Sequence, residues 1–179
     1  MVQLTITEAL ADIKTVDKRI AKKAAFIISH LTRPDKLKDP LVSEGGSVDN
    51  IQRETQAIKD LEEHVIKLRM AIAQANRDTT IKIGDVTRSV AEWLTWRRDV
   101  APSMQVRFNH MASNIERARR EAQRIGAQVV NSGETAKPED IIVNVREAQL
   151  AKEIEHLEEV LGTLDGQLSL KNATTIIEV

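Results

Sequence analysis

The chain has 179 residues, of which 41% are hydrophobic and 30% charged; its net charge is −1, it has no Cys or Tyr, and two Trp and two Phe are its only aromatics. Near-neutral charge excludes global steering towards nucleic acid or anionic membranes. The lack of Cys excludes a disulfide framework, a thiolate nucleophile and Cys-ligated zinc, and fits a reducing compartment. So few aromatics point to helices packed through Leu, Ile, Val and Ala, in one domain with one core.

In the first segment Ile6, Leu10, Ile13, Asp17, Ile20, Ala24, Ile27 and Leu31 form a heptad seam, apolar except at Asp17. Thr5 with Glu8 makes a capping box at its start, and Pro34 marks its end. Residues 33–49 carry Pro34, Pro40, Gly45 and Gly46 and read as an exposed loop. Ser47 or Asp49 caps a second helix, whose seam is Ile51, Glu54 or Thr55, Ile58, Leu61, Val65, Leu68, Ile72 and Ala75.

NRDTTIKI at 76–83 follows, rich in β-branched residues, and Gly84-Asp85 supplies a tight turn. Ser89 with Glu92 is a second capping box. The longest seam runs through Val90, Leu94, Arg97, Ala101, Met104, Phe108, Met111, Ile115, Ala118, Ala122 and Ile125. Pro102 lies inside it and demands a kink or break near Asp99 to Ala101. Apolar pairs on either side of NSGETAKPED suggest a β-hairpin over 127–145. Leu150, Ile154, Leu157, Leu161, Leu164 and Leu168 then form a last seam, ending in NATTIIEV at 172–179, read as a terminal strand.

The two Thr/Ile-rich tags are nearly alike. If the helices before them lie side by side in one direction, the tags meet and can pair; otherwise each needs the 129–145 strands or another subunit, because an isolated two-stranded element is marginal in water.

Chemistry is sparse. Glu153 and His156 have the Glu-x-x-His spacing of a di-iron helix, but the pair has no second copy, and both flank the seam. No phosphate loop, dinucleotide fingerprint or zinc-protease motif occurs. Asp17 and Arg97 occupy seam positions, where they fix register by pairing with each other or a neighbour. Trp93, Trp96, Arg97 and Arg98 form the most distinctive cluster, of the residue types that dominate interface hot spots; one Trp should reach the core and the other face outward. Arg117, Arg119, Arg120 and Arg124, interleaved with Glu116 and Glu121, read as a salt-bridged solvent face. The opening MVQLTITEALADIK lacks the basic start and apolar run of a secretory signal, and Ala24 to Ile28 is far shorter than the ~20 residues of a membrane span. The expectation is a soluble protein, cytoplasmic when made.

IAQANRDTTI at 72–81, Trp96-Arg97-Arg98 and LDGQLSLKNATTI at 164–176 give nearly the whole chain a likeness: it resembles the septicolysin family of small helical bacterial and phage-encoded proteins. Ala173 stands where members tend to carry an aromatic. The family name implies a pore-forming cytolysin, the alternative reading. Similar helical proteins in phage genomes imply a virion or assembly component, of the head or tail.

Together these readings predict one domain over 1–179: an all-α, up-and-down bundle of about four long helices with coiled-coil seams, one kinked at Pro102, and small β elements at one end. The expected function is structural and non-enzymatic, with no catalytic residue, metal or cofactor. It works through protein partners, as a homo-oligomer or in a larger assembly such as a phage virion, without nucleic acid or membrane. The predicted contact residues are Trp93, Trp96, Arg97, Arg98, Thr174, Thr175, Ile176, Ile177 and Val179.

Overall fold

The computed structural model describes residues 2–179. The protein is all-α, 70% helical, with four long helices and three small strand pairs. In chain order the elements are β1 (Gln3–Thr5), α1 (Ile6–His30), α2 (Ser47–Asp78), β2 (Thr80–Ile83), β3 (Val86–Ser89), α3 (Val90–Thr95), α4 (Ala101–Ile125), β4 (Val129–Asn131), β5 (Ile141–Val143), α5 (Glu147–Thr174) and β6 (Ile176–Glu178). They form two compact units, one of residues through Thr79 with Ser169–Val179, the other Thr80–Leu168. The single expected core is replaced by three apolar clusters, one in the first unit and two in the second.

In the first unit, α1 starts on the expected capping box. Glu8 N–H donates to Thr5 Oγ1 at 3.2 Å, and Thr5 N–H donates to the Glu8 carboxylate at 2.8 Å. The Thr5 N–H, and then the Thr5 hydroxyl that also donates to it, hold the Glu8 carboxyl below its ordinary pKa. α1 and α2 are antiparallel: Asp12 meets His64 at 2.8 Å and Lys23 meets Glu54 at 2.7 Å, so advancing along one helix retreats along the other. The buried face of α1 is Ile6, Ala9, Ile13 and Val16. This corrects the predicted seam, for Asp17 is exposed and Leu10 is 40% exposed. Both phases begin at Ile6 and share Ile13; the structure takes the one that buries Val16 and leaves a carboxylate in water, because an unpaired buried charge is costly.

The 31–46 connection is tied down tightly. Asp39 accepts from the Leu41 N–H at 2.9 Å, the Ser47 N–H at 2.7 Å and the Ser47 hydroxyl. Neither Ser47 nor Asp49 caps α2, as the sequence suggested. The cap position is Gly46, and Asp39, eight residues before Ser47, joins Asp49 of the first turn in placing negative charge at the N-terminus. Gly45 and Gly46 have φ of +95° and +90°, which only glycine adopts without strain.

The closing strand β6 pairs antiparallel with β1, Leu4 opposite Ile177, and Val2 and Val179 exchange backbone hydrogen bonds of 2.9 and 3.0 Å. Pairing of the two tags, with each other or with the 129–145 segment, is therefore not what occurs. β6 instead lays Ile177 into the cluster of Ile6, Ala9, Ile13 and Leu68, which supplies the apolar cover that a lone ribbon lacks.

In the second unit the first tag folds straight back: β2 and β3 form a hairpin through Gly84-Asp85. Gly84 has φ +56°, as a type II′ loop requires at its first central position. The Ser89–Glu92 capping box starts α3 as expected. The interruption before Pro102 is a π turn over Trp96–Val100, in which Ala101 N–H bonds to Trp96 C=O. Pro102 has no N–H for the Arg98 carbonyl and its ring would strike it; widening the turn relieves both problems.

The segment over 127–145 is not a hairpin. β4 and β5 are parallel, Val129 beside Ile141 and Asn131 beside Val143. The intervening loop is long enough to carry the chain back to the start of β4. Asp140 fixes that return by accepting from Gln128 N–H at 3.0 Å and Lys137 N–H at 2.8 Å. α5 then runs antiparallel to the chain's earlier helices in this unit, with Arg119 paired to Glu147 and Arg97 to Asp165. Phe108 and Ile115 of α4 pack with Val143, Leu150 and Leu157, while Ile81, Ile83, Val90 and Trp93 pack with Val160, Leu164 and Leu168.

Candidate functional site

One tryptophan reaches the core as expected, but the other does not face outward: Trp96 packs against both apolar clusters of the second unit. Trp93 is buried, at 3% exposure, and Trp96 is half-buried. Their rings meet edge to face, 5.5 Å apart at 89°, a favoured aromatic geometry. Trp93 Nε1–H donates to the Ile81 carbonyl at 3.0 Å, so this ring ties α3 to the β2–β3 hairpin. Its face is also occupied: the Arg88 guanidinium lies 4.9 Å from the ring centroid.

Around these rings the second unit has a recess of about 420 Å3. Its apolar wall includes Ile83, Trp93, Trp96, Met104, Leu157 and Val160; polar groups enter from the hairpin as Asp85 and Arg88, and from α5 as Glu153 and His156. The hairpin register places Arg88 opposite the buried Ile81 and so on its face, which aims the guanidinium at Trp93. Glu153 and His156, one helical turn apart, thus stand beside the tryptophans. Among the described residues no three His, Asp or Glu side chains gather as a metal site. A larger depression of about 700 Å3 on α2 is lined by Asp49, Gln52, Arg53, Thr55, Gln56 and Lys59 alone, one polar helix face with no apolar wall.

The arginines after Trp96 point elsewhere. Arg97 is not a buried seam residue; it pairs with Asp165 at 3.0 Å, both side chains about half exposed. Its expected pairing with a neighbour occurs, whereas Asp17 has no part in it. Arg98 spends two donors on Asp99, and that hydrogen bonding holds the Asp99 carboxyl below its usual range. Further along α4, Arg119 bridges Glu116 and Glu147, and Arg124 pairs with Glu121, the salt-bridged face that the charge pattern predicted.

In the terminal stretch, Ile177 is buried, Thr175 and Val179 are half-buried, and Thr174 and Ile176 are exposed. Thr174 Oγ1 donates to Leu170 C=O at 2.9 Å. Sequence reasoning missed Asp85 and Arg88. A two-residue turn at Gly84-Asp85 fixes residue 88 opposite residue 81, so the signal was present in the register.

Compared with models of protein families, with characterised proteins and with solved structures, the chain gives no match. No helix among the described residues is long and apolar enough to cross a membrane.

Proposed function

We propose that this is a non-enzymatic structural or assembly protein that acts by binding other protein surfaces, its own copies included. One observation carries the reading. At the α1/α2 tip, Ile28, Leu31, Leu37, Val42 and Val48 are between 60% and 76% exposed. The same tip is held in place by the Asp39 bonds and by Arg53, which donates to the Glu44 carbonyl at 2.8 Å. An ordered segment that holds large aliphatic side chains in water is what a protein interface needs before its partner arrives. The exposed Ile176 and the open edge of the two-stranded β1–β6 ribbon offer a second surface, for strand addition. A phage virion as the setting rests on the resemblance to septicolysin-like proteins.

The test is light scattering over a concentration series, on the parent chain and on a Leu37→Ser/Val42→Ser/Val48→Ser variant. All three side chains are solvent-exposed, so helicity should persist while self-association or binding to co-purified partner protein falls. A parent that stays monomeric and partnerless, or a variant that assembles as before, removes the reading. Deleting 172–179 is a poor probe of the ribbon edge, since it also strips Ile177 from the cluster beneath; Ile176→Lys alters the edge strand and leaves that cluster whole.

A further inference from the structure

We infer that the recess beside Trp93 and Trp96 binds a small organic cation, an ammonium group on an apolar body. Its volume of about 420 Å3 falls within the roughly 300–1,000 Å3 typical of small-molecule pockets, and its composition is of the same kind, apolar walls with a few polar groups at the mouth. Charge then selects the ligand. Asp85 and Glu153 both line the recess, and among the described residues neither has an ion-pair or hydrogen-bond partner. The Arg88 guanidinium is committed to the Trp93 face. With that face covered, the aromatic contact for the ligand is the half-buried Trp96 ring, whose indole face carries negative electrostatic potential. With two carboxylates against one guanidinium the lining favours an ammonium over a carboxylate, and Trp96 adds an aromatic wall. Trp96 Nε1–H donates no hydrogen bond among the described residues, which leaves a donor for a hydroxyl or carbonyl on the ligand.

Both tryptophans of the chain line the recess, so intrinsic fluorescence reads it without a label. The full chain is titrated with benzyltrimethylammonium, with benzyl alcohol as the neutral probe and phenylacetate as the anionic one. The expected result is a saturable change with the cation, binding roughly tenfold tighter than benzyl alcohol, as a cation–π contact with a nearby carboxylate supplies. Phenylacetate should not saturate. Glu153→Gln should weaken the cation severalfold and leave benzyl alcohol unchanged, with the circular-dichroism spectrum of the parent. No saturation with the cation at millimolar concentration overturns the inference; so do equal affinities for all three probes, or a cation affinity indifferent to Glu153→Gln.

Discussion

The two units use the same seven-residue beat and reach different degrees of closure. In the first, 32-residue α2 buries only Leu68 and Ser47, and beyond Val16 no residue of α1 is buried. In the second, α4 buries Ala101, Phe108, Ile115 and Ala122, and α5 buries five residues from Leu150 to Leu168. Periodicity is alike; what differs is the number of elements that close over the stripe. Two antiparallel helices cover one line of contact, and the first unit is sealed only where the β1–β6 ribbon adds a third element. In the second unit the β2–β3 hairpin, the π turn and the β4–β5 pair close over the helices along their length.

The comparison breaks most visibly at the two fully buried leucines, Leu68 and Leu164. Either residue changed to Ala should cost about 2–5 kcal/mol, the range for a buried leucine that leaves a cavity. Leu68→Ala is read by circular dichroism in a denaturant series and Leu164→Ala by tryptophan fluorescence. A loss below about 1 kcal/mol at Leu68 would mean that the hairpin collapses around the missing side chain, so that its core is looser than described. Trp93→Phe comes next. It strands the Ile81 carbonyl and leaves Arg88 a smaller ring to rest on, for an expected loss of about 1–3 kcal/mol. A neutral outcome would show that the hairpin is held by Ile81 and Ile83 alone.

A smaller, local effect belongs to the first unit's loop. Asp39 is lowered from its ordinary value to about 2, first by the Ser47 hydroxyl and then by the Ser47 and Leu41 amides. A depressed carboxyl stabilises the fold above its unfolded pKa of 3.8 and loses that contribution as pH falls towards 2. Protection of the Leu41 and Ser47 amides, taken relative to their intrinsic exchange rates, should therefore fall in that window, and Asp39→Asn should remove that fall. Arg124→Ala should change stability by no more than about 0.5 kcal/mol, because its pair with Glu121 is solvent-exposed and screened.

Local signals were legible and distant ones were not. Both capping boxes, the turn at Gly84-Asp85 and the interruption before Pro102 span a few residues, and each has one dominant steric or hydrogen-bonding solution. The choice of Val16 over Asp17 turns on phase: Leu10 looked the better seam residue, yet following it commits a carboxylate to the interior. β1 was missed because Val2-Gln3-Leu4-Thr5 is too short to declare itself, and its partner is at the other end of the chain. The parallel β4–β5 pair was read as a hairpin because two apolar runs around a Gly/Pro loop look identical in either direction. The recess was half visible: the tryptophans and the Glu153–His156 spacing stood out separately, but only the folded hairpin brings Asp85 and Arg88 beside them.

The ribbon that joins Gln3 to Glu178 has a temporal consequence. Everything the second unit needs is contiguous, so it can condense while later residues are still leaving the ribosome. The first unit must wait, with Ile6, Ile13 and Leu68 short of their cover, until β6 emerges and finds them. Each doubling of the intervening chain adds only about 0.6 kcal/mol of closure entropy, so the delay is one of timing and not of stability. During that interval the nascent α1/α2 hairpin is the stretch that a chaperone would have most reason to shield.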